Sequence, residues 1–129
     1  MFLTDLVVKS MIGTNVFKLE KDLVYKDKSL HIVVPQNFVF DGTSVPKIIT
    51  NLLPAFGYKY DRASCLHDWL YASSSFDRID CDNIYFEALL SDKVNIRLAK
   101  IMYLAVRVFG AKRYGGDLTY FKVKGKKRK

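Results

Sequence analysis

The sequence predicts an α+β fold, a small N-terminal antiparallel β region packed on a C-terminal three-helix unit. Three observations carry that prediction. Short runs rich in Val, Ile, Phe and Tyr fill the first forty residues and are separated by polar turns. Beyond residue 60 the apolar spacing changes to the helical period. No repeat, linker or low-complexity stretch divides the chain, and 129 residues suit one domain.

In chain order, Val16-Phe17-Lys18-Leu19-Glu20, Leu23-Val24-Tyr25 and Leu30 to Val34 are expected as strands. The polar segment Lys26-Asp27-Lys28-Ser29 is short enough to join the last two as a hairpin. Pro35 has no amide hydrogen for a ladder, so it ends the third strand or places it at an edge. Phe38-Val39-Phe40 reads as a further short strand, stopped by Asp41-Gly42. Val45-Pro46 opens a segment with Ile48, Ile49, Leu52 and Leu53, expected as one or two helical turns closed by Pro54 and Gly57.

Three longer helices follow. Asp61 is the expected N-cap of the first, from Arg62 to about Ala72, which Ser73-Ser74-Ser75 breaks. Asp77 starts the second, from Arg78 to Leu90, and Asn95 opens the last, from Ile96 to Lys112, ahead of Gly115-Gly116. That last helix is apolar nearly all round (Leu98, Ala99, Ile101, Met102, Leu104, Ala105, Val108, Phe109) and is expected at the centre of the core.

Half the chain is apolar and 14% is aromatic, enough for a core without disulfide staples. Cys65 and Cys81 lie in helical segments outside any CxxC or His-containing spacing, which argues against a zinc thiolate site. They read as free thiols of a reducing compartment, a disulfide being the alternative. No basic region followed by an apolar run marks a secretory signal. The longest apolar run, Ile101 to Ala111, is interrupted by Arg107 and is about half of what a bilayer requires, so no transmembrane segment is expected.

Charge is concentrated at one end. Lys122, Lys124, Lys126, Lys127, Arg128 and Lys129 supply six cations with no acid among them, leaving +2 of the formal +8 for residues 1–121. The domain is therefore bounded as residues 1–121, with 122–129 as a basic tail. Such a tail stays solvated or meets a polyanion, an acidic partner or an anionic membrane. A folded nucleic-acid reader would carry a basic face within the domain, so that class ranks last.

Two segments gather the polar chemistry. His67 sits in a helix beside Asp68, with Tyr71 four residues on, along one face with Ala63 and Leu70. A lone histidine there is ordinarily a satisfied core residue. Yet Asp82 belongs to the next helix, and helices joined by a short loop pack antiparallel, which brings Asp82 to His67. The carboxylate would fix the imidazole tautomer and leave the other nitrogen to act as general base or bind a metal. The turn Asp41-Gly42-Thr43-Ser44 is the second segment. Its amides and the Thr43 and Ser44 hydroxyls suit an anion, and Asp41 with carbonyl oxygens suits a hard cation. Alternatively it caps the following helix. His31 reads as structural or exposed, and Trp69 and Tyr85 as packing residues.

These residues carry a resemblance. Ile32-Val33-Val34-Pro35-Gln36-Asn37-Phe38-Val39-Phe40-Asp41-Gly42-Thr43-Ser44-Val45-Pro46, then Ala63-Ser64-Cys65-Leu66-His67-Asp68-Trp69-Leu70-Tyr71, then Arg78 and Asp82 with Phe86, resemble a family of phage and prophage proteins known as a domain of unknown function, family 1353. The likeness runs from about residue 15 to 110. The family's usual residues are replaced at Asn37 (Gly), Phe40 (Thr), Thr43 (Ala) and Cys81 (Ala). The resemblance implies a phage or prophage origin, and so a place in the host cytoplasm or the virion with other phage proteins or a host factor as partners. It brings no activity with it. Locally, His-Asp-x-x-Tyr with a remote aspartate is also similar to the active centre of secreted phospholipases A2. By that likeness His67 activates water, Asp68 binds calcium, Asp82 orients the histidine and Tyr71 supports it. The disulfide framework and Gly-rich calcium loop of those enzymes are absent, and Asp41-Gly42-Thr43 would stand in for the loop.

Three functions compete on these grounds. One is a small hydrolase of ester, phosphoester or amide bonds, with His67 as base, Asp82 and Tyr71 as its supports, and a divalent cation such as calcium on Asp68 and Asp41. Another is a non-enzymatic virion-associated or host-factor-binding protein in which the same residues form a structural network. The third works on nucleic acid through the tail. A solvent-open cleft favours the first and a sealed, hydrogen-bonded core favours the second.

Overall fold

The computed structural model describes residues 1–10, 16–40, 59–112 and 114. Five strands come first: β1 (Val8–Ser10), β2 (Phe17–Leu19), β3 (Leu23–Asp27), β4 (Leu30–Val34) and β5 (Val39–Phe40). Three helices follow, α1 (Asp61–Ser73), α2 (Arg78–Ser91) and α3 (Ile96–Phe109), the last running into a 3-10 turn at Gly110–Lys112. The protein is thus α+β, with antiparallel strands ahead of helices, as expected.

β3 and β4 form a two-stranded sheet in which Leu23 pairs with Val34 and Tyr25 with Ile32. These four are buried, whereas Lys26, His31 and Val33 between them are exposed, the two-residue alternation of a strand with one face on a core. The hairpin loop is only Lys28 and Ser29, tighter than expected, and it holds Lys28 at φ 46°. The N-terminus extends this sheet. Phe2 bridges to Tyr25 with the two rings edge-on at 4.9 Å, and the Leu3 amide donates to the Val24 carbonyl at 2.8 Å.

The second sheet has the order β1-β2-β5, all antiparallel. β1 was not expected, because Val8-Lys9-Ser10 offers a single β-branched residue, and pairing with β2 is what holds it extended. Between β4 and β5 the Phe38 amide donates to the Pro35 carbonyl at 3.2 Å, and Asn37 takes φ 77°. A positive φ at that place is what a type II turn requires, and asparagine tolerates it where the resembled pattern has glycine.

α1 packs on β3, and α2 lies between α1 and α3. This corrects the expected place of α3. Its inward face is Ala99, Met102, Ala105 and Val106, while Ile101, Leu104, Val108 and Phe109 are exposed. An apolar pattern on all sides does not say which side has a neighbour; among the described residues α2 is the helix α3 packs against. α2 is the central helix, burying Cys81, Asp82, Ile84, Tyr85, Ala88 and Leu89.

The helix ends also differ in detail. Asp61 is the first residue of α1 rather than its cap, Tyr60 holds the cap position, and no side chain caps that end. Asp77 precedes α2 without a side-chain cap bond, whereas the Asn95 side chain accepts from the Arg97 amide at 2.8 Å. α3 gives way to a 3-10 turn three residues before the expected end. Both cysteines are free and buried. Among the described residues no helix is long and apolar enough to cross a membrane. The expected helical turns after Val45-Pro46 and the domain boundary at residue 121 lie outside the described residues.

Candidate functional site

α1 and α2 are joined by a short serine-containing loop, and their packing brings His67 to Asp82 as the sequence implies. His67 Nε2 lies 2.7 Å from Asp82 Oδ1, and the Tyr71 hydroxyl donates to the same oxygen at 2.6 Å. An ionised carboxylate only accepts hydrogen bonds, so His67 carries its proton on Nε2. The other oxygen, Oδ2, accepts from Arg107 Nη1 at 2.7 Å and faces Arg78 Nη1 at 3.7 Å. Asp82 therefore joins all three helices through its two oxygens. It is 0% exposed and His67 is 2% exposed.

The shell around the pair is aromatic. The Tyr71 and Tyr85 rings lie 4.1 and 4.5 Å, centroid to centroid, from the His67 ring. The Tyr85 hydroxyl shares a 3.3 Å hydrogen bond with Ser64 Oγ, and His67 Nδ1 is buried as well. Arg78 closes one side. It donates to the Val106 carbonyl at 3.0 Å, the Arg107 carbonyl at 2.9 Å and the Tyr71 hydroxyl at 3.3 Å. Gly110 completes the fit: a Cβ there would stand 2.7 Å from the Tyr71 hydroxyl and 3.3 Å from Arg78 Nη1.

Electrostatics follow from this geometry. Burial works to raise the Asp82 pKa, but hydrogen bonds from His67, Tyr71 and Arg107 outweigh it and hold the carboxyl below its ordinary value. Burial, then the hydrogen bond to Asp82, pushes Tyr71 well up, so it remains a donor. Burial likewise raises Cys65, and takes Cys81 to about 12, so neither thiol is a ready nucleophile near neutrality.

The structure thus gathers three of the expected site residues, His67, Tyr71 and Asp82. Asp68 is half-buried on α1 and is not among the groups bound to Asp82. Asp41, Thr43, Ser44 and the cations from Lys122 to Lys129 lie outside the described residues. Among the described residues no group of three or more His, Cys, Asp or Glu is placed to hold a metal ion. Arg78 and Arg107 were missed as members of the network. The available signals were Arg107 interrupting an otherwise apolar helix and Arg78 standing four residues before Asp82.

A second ionic cluster, also unforeseen, clasps the N-terminus. Arg62 of α1 binds Asp92 through Nη2–Oδ1 at 2.6 Å and Nε–Oδ2 at 3.0 Å, and donates to the Thr4 carbonyl at 3.0 Å. Its guanidinium also stands 4.9 Å from the centre of the Phe2 ring.

A family described as a protein of unknown function (DUF1353) matches residues 17–106, and the chain belongs to it. No curated protein and no solved structure matches the chain.

Proposed function

We propose that this protein is a non-enzymatic phage or prophage component that works by binding a host factor or another phage protein, in the host cytoplasm or the virion. His67, Tyr71 and Asp82 serve it as the network that fixes the helical unit. The observation that carries this reading is burial with satisfaction: both oxygens of a fully buried carboxylate on α2 are taken by partners from α1 and α3. A general base must reach the proton it abstracts, and the 2% exposed imidazole is packed against two tyrosine rings. The phage setting rests on the resembled motifs.

A denaturant titration of wild type and His67→Ala, beside hydrolysis of generic esters and phosphoesters with and without calcium, tests the reading. Loss of the imidazole leaves Asp82 with Tyr71 and Arg107, so the expected cost is that of one hydrogen bond to a charged group, about 1.5–3 kcal/mol. No turnover by wild type is expected. Turnover that disappears in an equally stable variant would reject the structural role.

One observation favours a second reading, a hydrolase acting during infection. The 2.7 Å contact from His67 Nε2 to Asp82, with Tyr71 on the same oxygen, is how a carboxylate orients a catalytic imidazole, whose base would be Nδ1. Substrate would have to open a path to that nitrogen, and calcium would draw on Asp68 and Asp41. In either reading the tail cations from Lys122 to Lys129 suit a polyanion.

A further inference from the structure

The outermost line of α3 is apolar, where a helix at the rim of a domain is ordinarily polar. Ile101, Leu104 and Val108 follow the i, i+3, i+7 spacing of one helix face and are 47%, 58% and 67% exposed, and Phe109 beside them is 56% exposed. Arg97, also exposed, continues that line one turn earlier, and exposed Lys100 flanks it. α2 lies to one side, where Tyr103 donates to Asn83 Oδ1 at 3.1 Å and packs edge-on against Phe86.

Charge is divided along the same boundary. Residues 94–129 hold eleven Lys or Arg against one acid, Asp117, a net of +10, so residues 1–93 carry −2 of the total +8. Residues 94–116, which include all of α3, contain no acid. The basic character thus begins within the folded domain, at its last helix, and not only at Lys122.

We propose that α3 docks this protein on an anionic lipid surface. The helix lies in the plane of the interface, with Ile101, Leu104, Val108 and Phe109 among the upper acyl chains and Arg97 and Lys100 at the headgroups. The remaining cations of residues 94–129 add attraction to the negative surface. This goes beyond the binding reading above, since the bound partner is a bilayer rather than a protein. A second copy fits poorly, since two copies of a helix that contains no acid would bring only like charges together. A protein partner reads a helix through pockets that receive its anchor residues. A convex aliphatic ridge beside cations needs no matching surface when the partner is a bilayer, which yields around it.

The test is flotation of the full chain with vesicles of phosphatidylcholine alone and of phosphatidylcholine mixed with phosphatidylglycerol. Binding is expected to the mixed vesicles only, and to weaken as salt rises. Lys100→Gln is expected to reduce it about fivefold, the share of one surface cation. Leu104→Ser with Val108→Ser is expected to reduce it by about tenfold or more, the share of the lost apolar insertion. Both positions are exposed, so the variant should unfold at the wild-type denaturant midpoint. Ile79→Ser, an exposed apolar position on α2, should bind as wild type does.

Failure to float with mixed vesicles would overturn the proposal. So would flotation indifferent to Leu104 and Val108, which assigns the contact to tail charge alone. A dimer or a complex with poly-glutamate that depends on Leu104 and Val108 and excludes vesicles would give the face to a second copy or an acidic protein. A failure of vesicle binding leaves the structural role of His67 and Asp82 untouched, whereas ester turnover lost in a stable His67→Ala variant removes that role without altering flotation.

Discussion

The two ionic clusters use the same kinds of groups at different depths. Around Asp82, two arginines, a histidine and a tyrosine converge on a carboxylate with no solvent exposure. Around Asp92, one arginine makes a two-pronged bond. Its side chain is 31% exposed, close to the 29% of Arg107, so what differs is the buried His67 and Tyr71 that share Asp82. The first cluster unites three helices; the second fastens a chain end and one loop to α1. Depth decides what each does. Around Asp82, losing the carboxylate strands the buried His67 and Tyr71 where water does not reach them. Near the surface, water replaces a lost partner and the same bond contributes less. The inner cluster therefore sets how the helices fit together, and the outer one sets how firmly the first residues are held.

The comparison breaks most directly at Asp82. Asp82→Ala leaves Arg107, His67 and Tyr71 without their acceptor and Arg78 without its neighbouring carboxylate, and a loss of about 3–5 kcal/mol in urea unfolding is expected. Acid tests the same group without mutation. Its folded pKa lies below the ordinary carboxyl value, so its contribution is complete above about pH 4 and is lost as pH falls through the lowered value. In Asp82→Asn that component of the acid limb should vanish, and stability at neutral pH should already be low. If Asp82→Ala unfolds at the wild-type midpoint, the network is not what fixes the helices.

Gly110→Ala sharpens the picture without touching a charge. The new methyl must displace the Tyr71 hydroxyl or Arg78, and overpacking of this kind costs about 1–3 kcal/mol. A neutral result in thermal melts would mean that the shell around Asp82 yields more than its contacts suggest. At the outer cluster, Asp92→Ala should cost about 1 kcal/mol, because the freed guanidinium is already partly in water. Faster amide exchange at Leu3 and Lys26, whose N–H groups tie the N-terminus to β3, should accompany it. The smallest effect belongs to deletion of residues 122–129, expected to move the midpoint by no more than about 0.5 kcal/mol, since only Val123 among them is apolar.

Local pattern revealed some of this and hid the rest. β3, β4 and the pairing of His67 with Asp82 were legible because a short connection leaves neighbouring elements little choice of partner. α3 misled because its apolar residues surround the helix, and nothing in the pattern says which of them would face α2. β1 was invisible because pairing with β2, not composition, makes it a strand. Arg107 was read as an interruption in an apolar run. That a guanidinium there reaches a carboxylate on another helix depends on how α2 and α3 are set against each other, which spacing within either does not encode. The turn from Asp41 to Ser44 lies outside the described residues, so its role is still an expectation.

Arg78 stands at the first position of α2 and holds the Val106 and Arg107 carbonyls near the end of α3. Those carbonyls belong to the last turn, where the Val106 carbonyl accepts from the Gly110 amide as well as from Arg78. Fraying of α3 must therefore release Arg78, and fraying of the first turn of α2 must expose the end of α3. The two termini form one opening unit rather than two. In native-state hydrogen exchange their amides should share a single opening free energy and respond together to Arg78→Lys, even though 28 residues of chain separate the groups that join them.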